Sequence, residues 1–255
     1  SCQAGQEQEC ERESVATYGS PLPEGDPEGP VTNGGYSTHI VVEEPMVVSV
    51  PDGLDPAAAA PLLCAGITMF SPLKQWNVGP GTKVAVIGMG GLGHVGVKLA
   101  VAMGAEVTVL SQTTSKRDDS LKYGAVEHYA TAGDEGKATL RELRGTFDVI
   151  LNTVSASLPM DRFLATLKPR GALVNIGIPT EPMSVRAGSV AAGRRILTGS
   201  MIGGIPETQE MLDFCAEHGI TADIELISAD KINEAYDRVV SSDVRYRFVI
   251  DAKTF

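Results

Sequence analysis

The chain has 255 residues, of which 43% are hydrophobic and 21% are charged, and its formal net charge is −11. These values are typical of a folded protein with one large domain or two smaller ones. The acidic balance, without any basic run, argues against nucleic acid or an anionic membrane surface as a partner. No stretch of about 18 apolar residues occurs, so no membrane span is predicted. Four cysteines do not make a disulfide scaffold, and a reducing, cytoplasmic setting is predicted.

The first quarter of the chain has few strong signals. Residues 1–37 are polar and rich in glycine and proline, which is typical of loop. Two β-branched runs at 39–43 and 46–50 predict two short strands. Asp55 and Pro56 predict a helix start, because aspartate caps a helix and proline suits its first turn. This helix leads into a second, buried one over 62–70.

From Lys83 onward, apolar runs alternate with helical patterns. The predicted strands span residues 84–87, 107–110, 147–151, 172–176 and 196–198. Continuous apolar strands between amphipathic helices are typical of a parallel sheet covered on both faces. A helix over 206–218, stopped by Gly219, and a closing strand over 246–251 complete the prediction. The fold class is therefore α/β, with a doubly wound parallel sheet.

The stretch IGMGGLGH, residues 87–94, lies between the first strand and the first helix of this alternation. In that position Gly88 permits a tight turn, Gly90 admits a pyrophosphate, and Gly93 lets the helix pack against the strand. Gly91 and Leu92 would then offer backbone N–H groups at the helix N-terminus, which favours negative charge. The glycine turn predicts a Rossmann-type dinucleotide site. The alternative is a structural turn that binds nothing.

The end of the second strand indicates which dinucleotide is bound. NAD-binding proteins of this fold place an acidic residue there to hold the ribose hydroxyls, but residues 107–117 contain no Asp or Glu. The polar side chains available instead are those of Ser111, Gln112, Thr113, Ser115, Lys116 and Arg117. Hydroxyls and cations suit a 2′-phosphate, so the sequence predicts NADP(H). The alternative is an ordinary solvated helix start.

Several stretches together resemble the zinc-dependent medium-chain alcohol dehydrogenases, in particular the cinnamyl alcohol dehydrogenase group. They are GGYS (34–37), AAPLLCAGIT (59–68), GMGGLGH (88–94), GVKLAVAMGAEVTVLS (96–111), GSMIGG (199–204), ETQEMLDFCAEHG (207–219) and DVRYRFVID (243–251). The resemblance implies an NADP-binding Rossmann domain over 65–202. It also implies a GroES-like barrel formed in part by 1–64, with 203–255 returning to it. Catalytic zinc would lie between the two domains.

The same resemblance assigns three of the four cysteines to zinc. Cys64 matches the family's last catalytic zinc ligand, although a cysteine in an apolar helix is by itself more often an inert core residue. Cys2 and Cys10 match the last two ligands of a four-cysteine structural zinc. The chain does not begin with methionine, and the remaining ligands are expected upstream of Ser1. Cys215 is predicted to be buried in the core.

Further cofactor contacts are expected at the carboxyl ends of the later strands, where ligands of open α/β sheets bind. Those carried over from the family are Thr153, Val154, Ile176, Gly177, Ser200 and Ile202. Arg245 and Arg247 are each either a phosphate contact or a surface residue. His94 is predicted to be a packing or capping residue. The resemblance also implies a homodimer, with GSMIGG near the seam.

The sequence therefore predicts a zinc-dependent alcohol dehydrogenase that moves hydride between NADP(H) and an aromatic or aliphatic primary alcohol or aldehyde. The alternative is an inactive dinucleotide-binding chain that lacks the other catalytic zinc ligands. A third possibility is a methyltransferase with a related glycine turn. Ser111 counts against it, since that fold usually has an acidic residue near the end of the second strand.

Overall fold

The structure is a computed structural model that describes residues 1–11, 16–27 and 29–255. Within the predicted N-terminal loop it contains short 3₁₀ turns at Cys2–Ala4 and Glu7–Glu9. The parts of that loop at 12–15 and 28 lie outside the described residues. The remainder of the chain forms one parallel sheet with helices on both faces and a smaller two-stranded sheet.

The main sheet has six strands, and every neighbouring pair is parallel. Its strands are β1 (Lys83–Ile87), β2 (Glu106–Ser111), β3 (Glu127–Ala130), β4 (Phe147–Asn152), β5 (Leu167–Asn175) and β6 (Ile196–Gly199). They lie in the order β3-β2-β1-β4-β5-β6. The strand order reverses between β1 and β4, which creates a crevice at their carboxyl ends. The predicted Rossmann-type sheet is confirmed.

The helices complete the two layers on either side of the sheet. They are α1 (Pro56–Ala59), α2 (Ala65–Gln75), α3 (Gly93–Ala102), α4 (Arg117–Lys122), α5 (Gly133–Glu142), α6 (Met160–Thr166), α7 (Ala187–Ala191), α8 (Ile205–His218) and α9 (Ile232–Val240). The smaller sheet pairs β7 (Ile224–Ile227) with β8 (Arg247–Ile250) in parallel, and α9 crosses between them.

Two apolar cores lie on opposite faces of the sheet because successive side chains of a strand point to opposite sides. Val84 and Val86 of β1 belong to the core shared with α2, α3 and α8, whereas Ala85 and Ile87 belong to the core shared with α6. Val84 and Val86 are fully buried, and each contributes about 1.5–3 kcal/mol to stability. This double burial explains why β1 is a continuous apolar run.

Two helix signals predicted from the sequence are confirmed, one at the start of α1 and one at the end of α8. The Asp55 carboxylate accepts a hydrogen bond from the backbone N–H of Ala58 at 3.0 Å, which caps α1. Gly219 follows α8 with φ of +63°, the left-handed conformation that ends a helix. Cys215 of α8 is fully buried, as predicted.

The two strands predicted at 39–43 and 46–50 are wrong. Glu44–Met46 forms a 3₁₀ turn, and the flanking residues form neither helix nor strand. Val41 is 99% exposed. Ser49 exchanges hydrogen bonds with the Gln209 side chain, at 2.8 and 3.0 Å, instead of with a neighbouring strand. A β-branched run becomes a strand only where another strand pairs with it, and the described residues supply none here.

No single helix among the described residues is long and apolar enough to span a membrane. The pair Pro56–Leu63 and Ala65–Gln75 meets that test by length and composition only, with a bend of 55° between its parts.

Candidate dinucleotide site

The glycine turn connects β1 to α3 and contains two glycines that the protein itself requires. Gly88 has φ of +95°, and a Cβ there would lie 2.7 Å from Thr153 Oγ1. A Cβ on Gly93 would overlap the carbonyl oxygen of Gly88. Any larger residue at either position would therefore displace α3 or the end of β4.

Gly90 differs from these two because no protein atom requires it. A Cβ on Gly90 would meet nothing within 4 Å, and its φ is not in the left-handed region. The open space lies at the N-terminal end of α3, where backbone N–H groups and the helix dipole favour an anion. The fold leaves room here for a group that the chain does not provide.

A cavity of about 450 Å³ opens over this turn. One wall is formed by Gly90, Gly91, Leu92, Lys116 and Thr153. The opposite wall is formed by α9 and β8 and includes Tyr236, Arg247 and Phe248. The cavity therefore lies between the main sheet and the smaller one, at the reversal of strand order.

Arg247 is the most informative residue of the second wall. Its guanidinium crosses the glycine turn, so that a side chain at Gly91 would collide with it. Its Nε is buried and has no hydrogen-bond partner among the described residues. A buried guanidinium nitrogen without a partner is costly, and a phosphate oxygen is a strong acceptor for it. Of the two arginines left open by the sequence, Arg247 faces the cavity, whereas Arg245 pairs with Asp119 at 3.1 Å.

The loop after β2 contains the residues predicted to meet the 2′-phosphate. The Ser111 carbonyl is fixed by the Thr131 N–H and hydroxyl, at 2.8 and 2.9 Å, while the Ser111 hydroxyl has no partner among the described residues. Thr113 and Ser115 share a hydrogen bond of 3.0 Å. Gln112 lies exposed beside them. Arg117, in contrast, pairs with Glu127 at 2.7 Å.

Lys116 brings a second positive charge to the cavity. Its ammonium lies 4.8 Å above the Tyr246 ring. Burial lowers the pKa of Lys116, and the nearby Arg245 adds to this effect. A cation that is partly desolvated and close to another cation gains from a bound anion.

The other predicted contacts lie along the same edge of the sheet. Thr153 follows β4, and its hydroxyl donates to the Ile87 carbonyl at 2.8 Å. Gly177 packs so closely on the Val154 backbone that a Cβ would overlap it. Val154, Ile176, Gly177, Ser200 and Ile202 do not line the cavity over the turn. Their role at the nicotinamide end stays a prediction.

The predicted zinc ligands are not brought together by the described residues. Cys64 is exposed at the start of α2 and lines a separate cavity of about 460 Å³, and Cys2 is also exposed. Over residues 1–11, 16–27 and 29–255, no group of three or more His, Cys, Asp or Glu side chains could hold a metal ion. Zinc sites in proteins normally use three or four protein ligands. The donors described here therefore do not by themselves fit a zinc ion.

The sheet, the glycine turn and the cation-lined cavity are typical of a Rossmann-type dinucleotide-binding protein. The zinc-binding dehydrogenase family profile matches residues 91–217. NADP-dependent alcohol dehydrogenase C 1 of Mycolicibacterium smegmatis is 60% identical over 251 residues, which are 98% of this chain and 70% of the relative. The chain belongs to the zinc-dependent medium-chain alcohol dehydrogenases, in the cinnamyl alcohol dehydrogenase-like group.

Two solved structures agree with this assignment. A cinnamyl alcohol dehydrogenase of Sorghum bicolor is 41% identical with a TM-score of 0.91, and the match covers 99% of this chain and 70% of the other. The enzyme named CAD from Helicobacter pylori, solved as a complex with NADP(H), is 38% identical with a TM-score of 0.87 and the same coverage. The family identifies the chain as an oxidoreductase that acts on alcohols or aldehydes.

Proposed function

We propose that the chain binds NADP(H) over the glycine turn and serves hydride transfer between this cofactor and a small-molecule alcohol or aldehyde. The observation that carries the proposal is the open space at Gly90, in the same cavity as Arg247, whose buried and unpartnered Nε lies against the neighbouring Gly91. The name of the Mycolicibacterium relative and the NADP(H) complex of the Helicobacter structure support it.

Each part of the cavity has a separate task in this proposal. The N–H groups at the start of α3 bind the pyrophosphate, and Arg247 closes over it from the opposite wall. Thr153 supports the turn from β4 through its bond to the Ile87 carbonyl. The bound nicotinamide supplies or accepts the hydride, and the chain orients it and excludes water.

The preference for NADP(H) over NAD(H) rests on the loop after β2. Ser111, Thr113 and Lys116 offer hydroxyls and a cation where a carboxylate would repel a phosphate. The Ser111 hydroxyl has no hydrogen-bond partner among the described residues, so it is available to donate to a phosphate oxygen.

Cys64 is proposed as one ligand of the family's catalytic zinc, and Cys2 with Cys10 as part of a structural site. Their exposed or half-buried thiols are compatible with this role. The described donors do not complete either site. The domain boundaries at 64 and 202, the GroES-like character of the flanks and a homodimer are likewise proposals.

A titration of the purified chain with NADPH, NADH and S-adenosylmethionine tests the proposal. NADPH should bind more tightly than NADH and raise the melting temperature, whereas S-adenosylmethionine should do neither. Oxidation of NADPH by an aromatic aldehyde then tests turnover. Binding without turnover favours the inactive alternative. A shift with S-adenosylmethionine but not with NADPH would replace the proposal with a methyltransferase.

A further inference from the structure

His94, the last residue of the glycine turn motif, is fully buried and uses both ring nitrogens. Its Nε2 lies 3.2 Å from the backbone nitrogen of Asp223, which can only donate. Nε2 is therefore the acceptor, and Nδ1 carries the hydrogen that it donates to the Gly90 carbonyl at 3.0 Å. The neutral imidazole thus connects the glycine that faces the open space to the segment before β7.

Asp223 also contacts the strand that carries Arg247, on the opposite wall of the cavity. The carbonyl of Asp223 accepts hydrogen bonds from the backbone nitrogens of Tyr246 and Arg247, at 3.0 and 3.3 Å. The Tyr246 ring also stacks on the His94 ring, with centroids 4.6 Å apart and planes inclined by 14°. One short path therefore joins the Gly90 carbonyl, through His94 and Asp223, to the backbone of Arg247.

Charged side chains hold this path in place. Lys98 of α3 forms an ion pair with Asp223 and donates to the Thr221 carbonyl at 2.9 Å. The Tyr123 hydroxyl donates to the second oxygen of Asp223 at 2.5 Å. These contacts fasten Asp223, which directly precedes β7, to α3 and to the end of α4, so His94 lies inside a rigid junction between the two walls.

We propose that His94 is a positioning residue, which sets the Gly90 backbone and Arg247 at the separation that a pyrophosphate requires. This inference rests on the proposed function, because it assigns a role at the same cofactor site.

The protonation state of His94 agrees with this role. Burial lowers the pKa of His94 to about 4, an effect that the Gly90 carbonyl opposes and Lys98 reinforces. The other charged groups that face the ring are Asp223 and Arg247. The ring therefore keeps one donor and one acceptor nitrogen at neutral pH.

Two substitutions at His94 separate positioning from packing. His94→Phe keeps a ring against Tyr246 and loses both hydrogen bonds, whereas His94→Gln keeps one donor and one acceptor. His218→Phe is the matched control, because His218 also bonds the carbonyl four residues earlier, at 2.9 Å, and stacks on Phe214 at the far end of α8. Calorimetry should give about tenfold weaker NADPH binding for His94→Phe, little change for His94→Gln and none for His218→Phe.

Two further measurements identify the pyrophosphate as the group affected. ADP-ribose, which contains the pyrophosphate, should lose affinity as NADPH does, whereas 2′-AMP, which lacks it, should not. Combined with Arg247→Leu, the His94→Phe change should add little further loss, since both act on the same contact. Additive losses, or an equal loss for 2′-AMP, would overturn the inference.

The test remains decisive if His94→Phe does not fold. His94→Asn is one methylene shorter than His94→Gln and cannot bridge Gly90 and Asp223, so it should bind NADPH more weakly than His94→Gln does. Equal affinities would refute the positioning role. If the unaltered chain fails to bind NADPH at all, the proposed function itself is wrong. Tight NADPH binding that no His94 substitution weakens removes only this inference.

Discussion

Replacing Ser111 by aspartate should reverse the cofactor preference. Ser111 lies at the end of β2, half-buried, with its carbonyl fixed by Thr131 and its hydroxyl without a partner among the described residues. The change therefore breaks no hydrogen bond of the described fold, and it introduces a carboxylate in the loop region to which we assign the 2′-phosphate. The Ser111→Asn variant introduces a neutral side chain of the same size as aspartate, and so separates the effect of charge from that of size.

The expected magnitude follows from Coulomb's law at a half-buried site. Two unit charges about 5 Å apart repel by about 3 kcal/mol at an effective dielectric constant of about 20. Lys116 offsets part of this repulsion, because it is a cation five residues further along the same loop. We expect a loss of about 2–3 kcal/mol, which corresponds to about 30- to 150-fold weaker NADPH binding. NADH should gain about fivefold, since the carboxylate accepts a hydrogen bond from the ribose hydroxyl.

Calorimetric titration of the Ser111→Asp and Ser111→Asn variants with both cofactors measures these changes directly. Ser111→Asn should change the NADPH-to-NADH affinity ratio only slightly, whereas Ser111→Asp should lower it more than 100-fold. Repeating the titrations at higher ionic strength should shrink the difference, because salt screens the repulsion. An unchanged ratio in Ser111→Asp would refute the assignment of the 2′-phosphate to this loop.

Three other predictions concern the turn, the buried histidine and the cysteines. Gly90→Val should abolish NADPH binding but leave the melting temperature near that of the unaltered chain, because only the open space is filled. Gly93→Ala should lower the melting temperature, because its Cβ would overlap the Gly88 carbonyl oxygen. Equal melting temperatures of the two variants would contradict this difference between the two glycines. Burial lowers the pKa of His94 to about 4, so between pH 6.5 and 4 only the unfolded chain takes up this proton. The free energy of unfolding should fall there by up to about 1.4 kcal/mol per pH unit. Denaturant titrations of the His94→Gln variant should lack this component. Iodoacetamide should modify the exposed Cys2 and Cys64 first and Cys215 only after unfolding, because burial raises the pKa of the Cys215 thiol to about 12. Early labelling of Cys215 would contradict this.

The sequence predicts the main sheet well because its physical signal is strong. β1, β2, β4 and the second half of β5 are buried on both faces, so each contains a run of mainly apolar residues that no amphipathic helix would contain. β3 escapes prediction since it is a four-residue edge strand with a single buried residue. β7 and α9 are also missed, because they are short and few of their residues are buried.

The sequence predicts only one of the two walls of the site, the one that contains the glycine turn. The glycine turn is local, so its spacing and its position between a predicted strand and a predicted helix indicate a phosphate cradle. The wall opposite depends on contacts between distant parts of the chain, and nothing in the spacing of Asp223 and Arg247 indicates that they meet the turn. A histidine at the end of the motif, followed by a lysine at the same helical face, was the one available signal of that junction.

The phosphate cradle is encoded in two places, the turn at 88–93 and the strand Arg247–Ile250. During synthesis all six strands of the main sheet have emerged once residue 199 has, well before Arg247, which we propose to close over the cofactor, is added. A nascent chain can therefore contain all six strands and still release its nucleotide quickly, because Arg247 is not yet present. A ligand that binds both the turn and β8 stabilises the contact between them. NADPH would therefore protect β8 from proteolysis and from local unfolding.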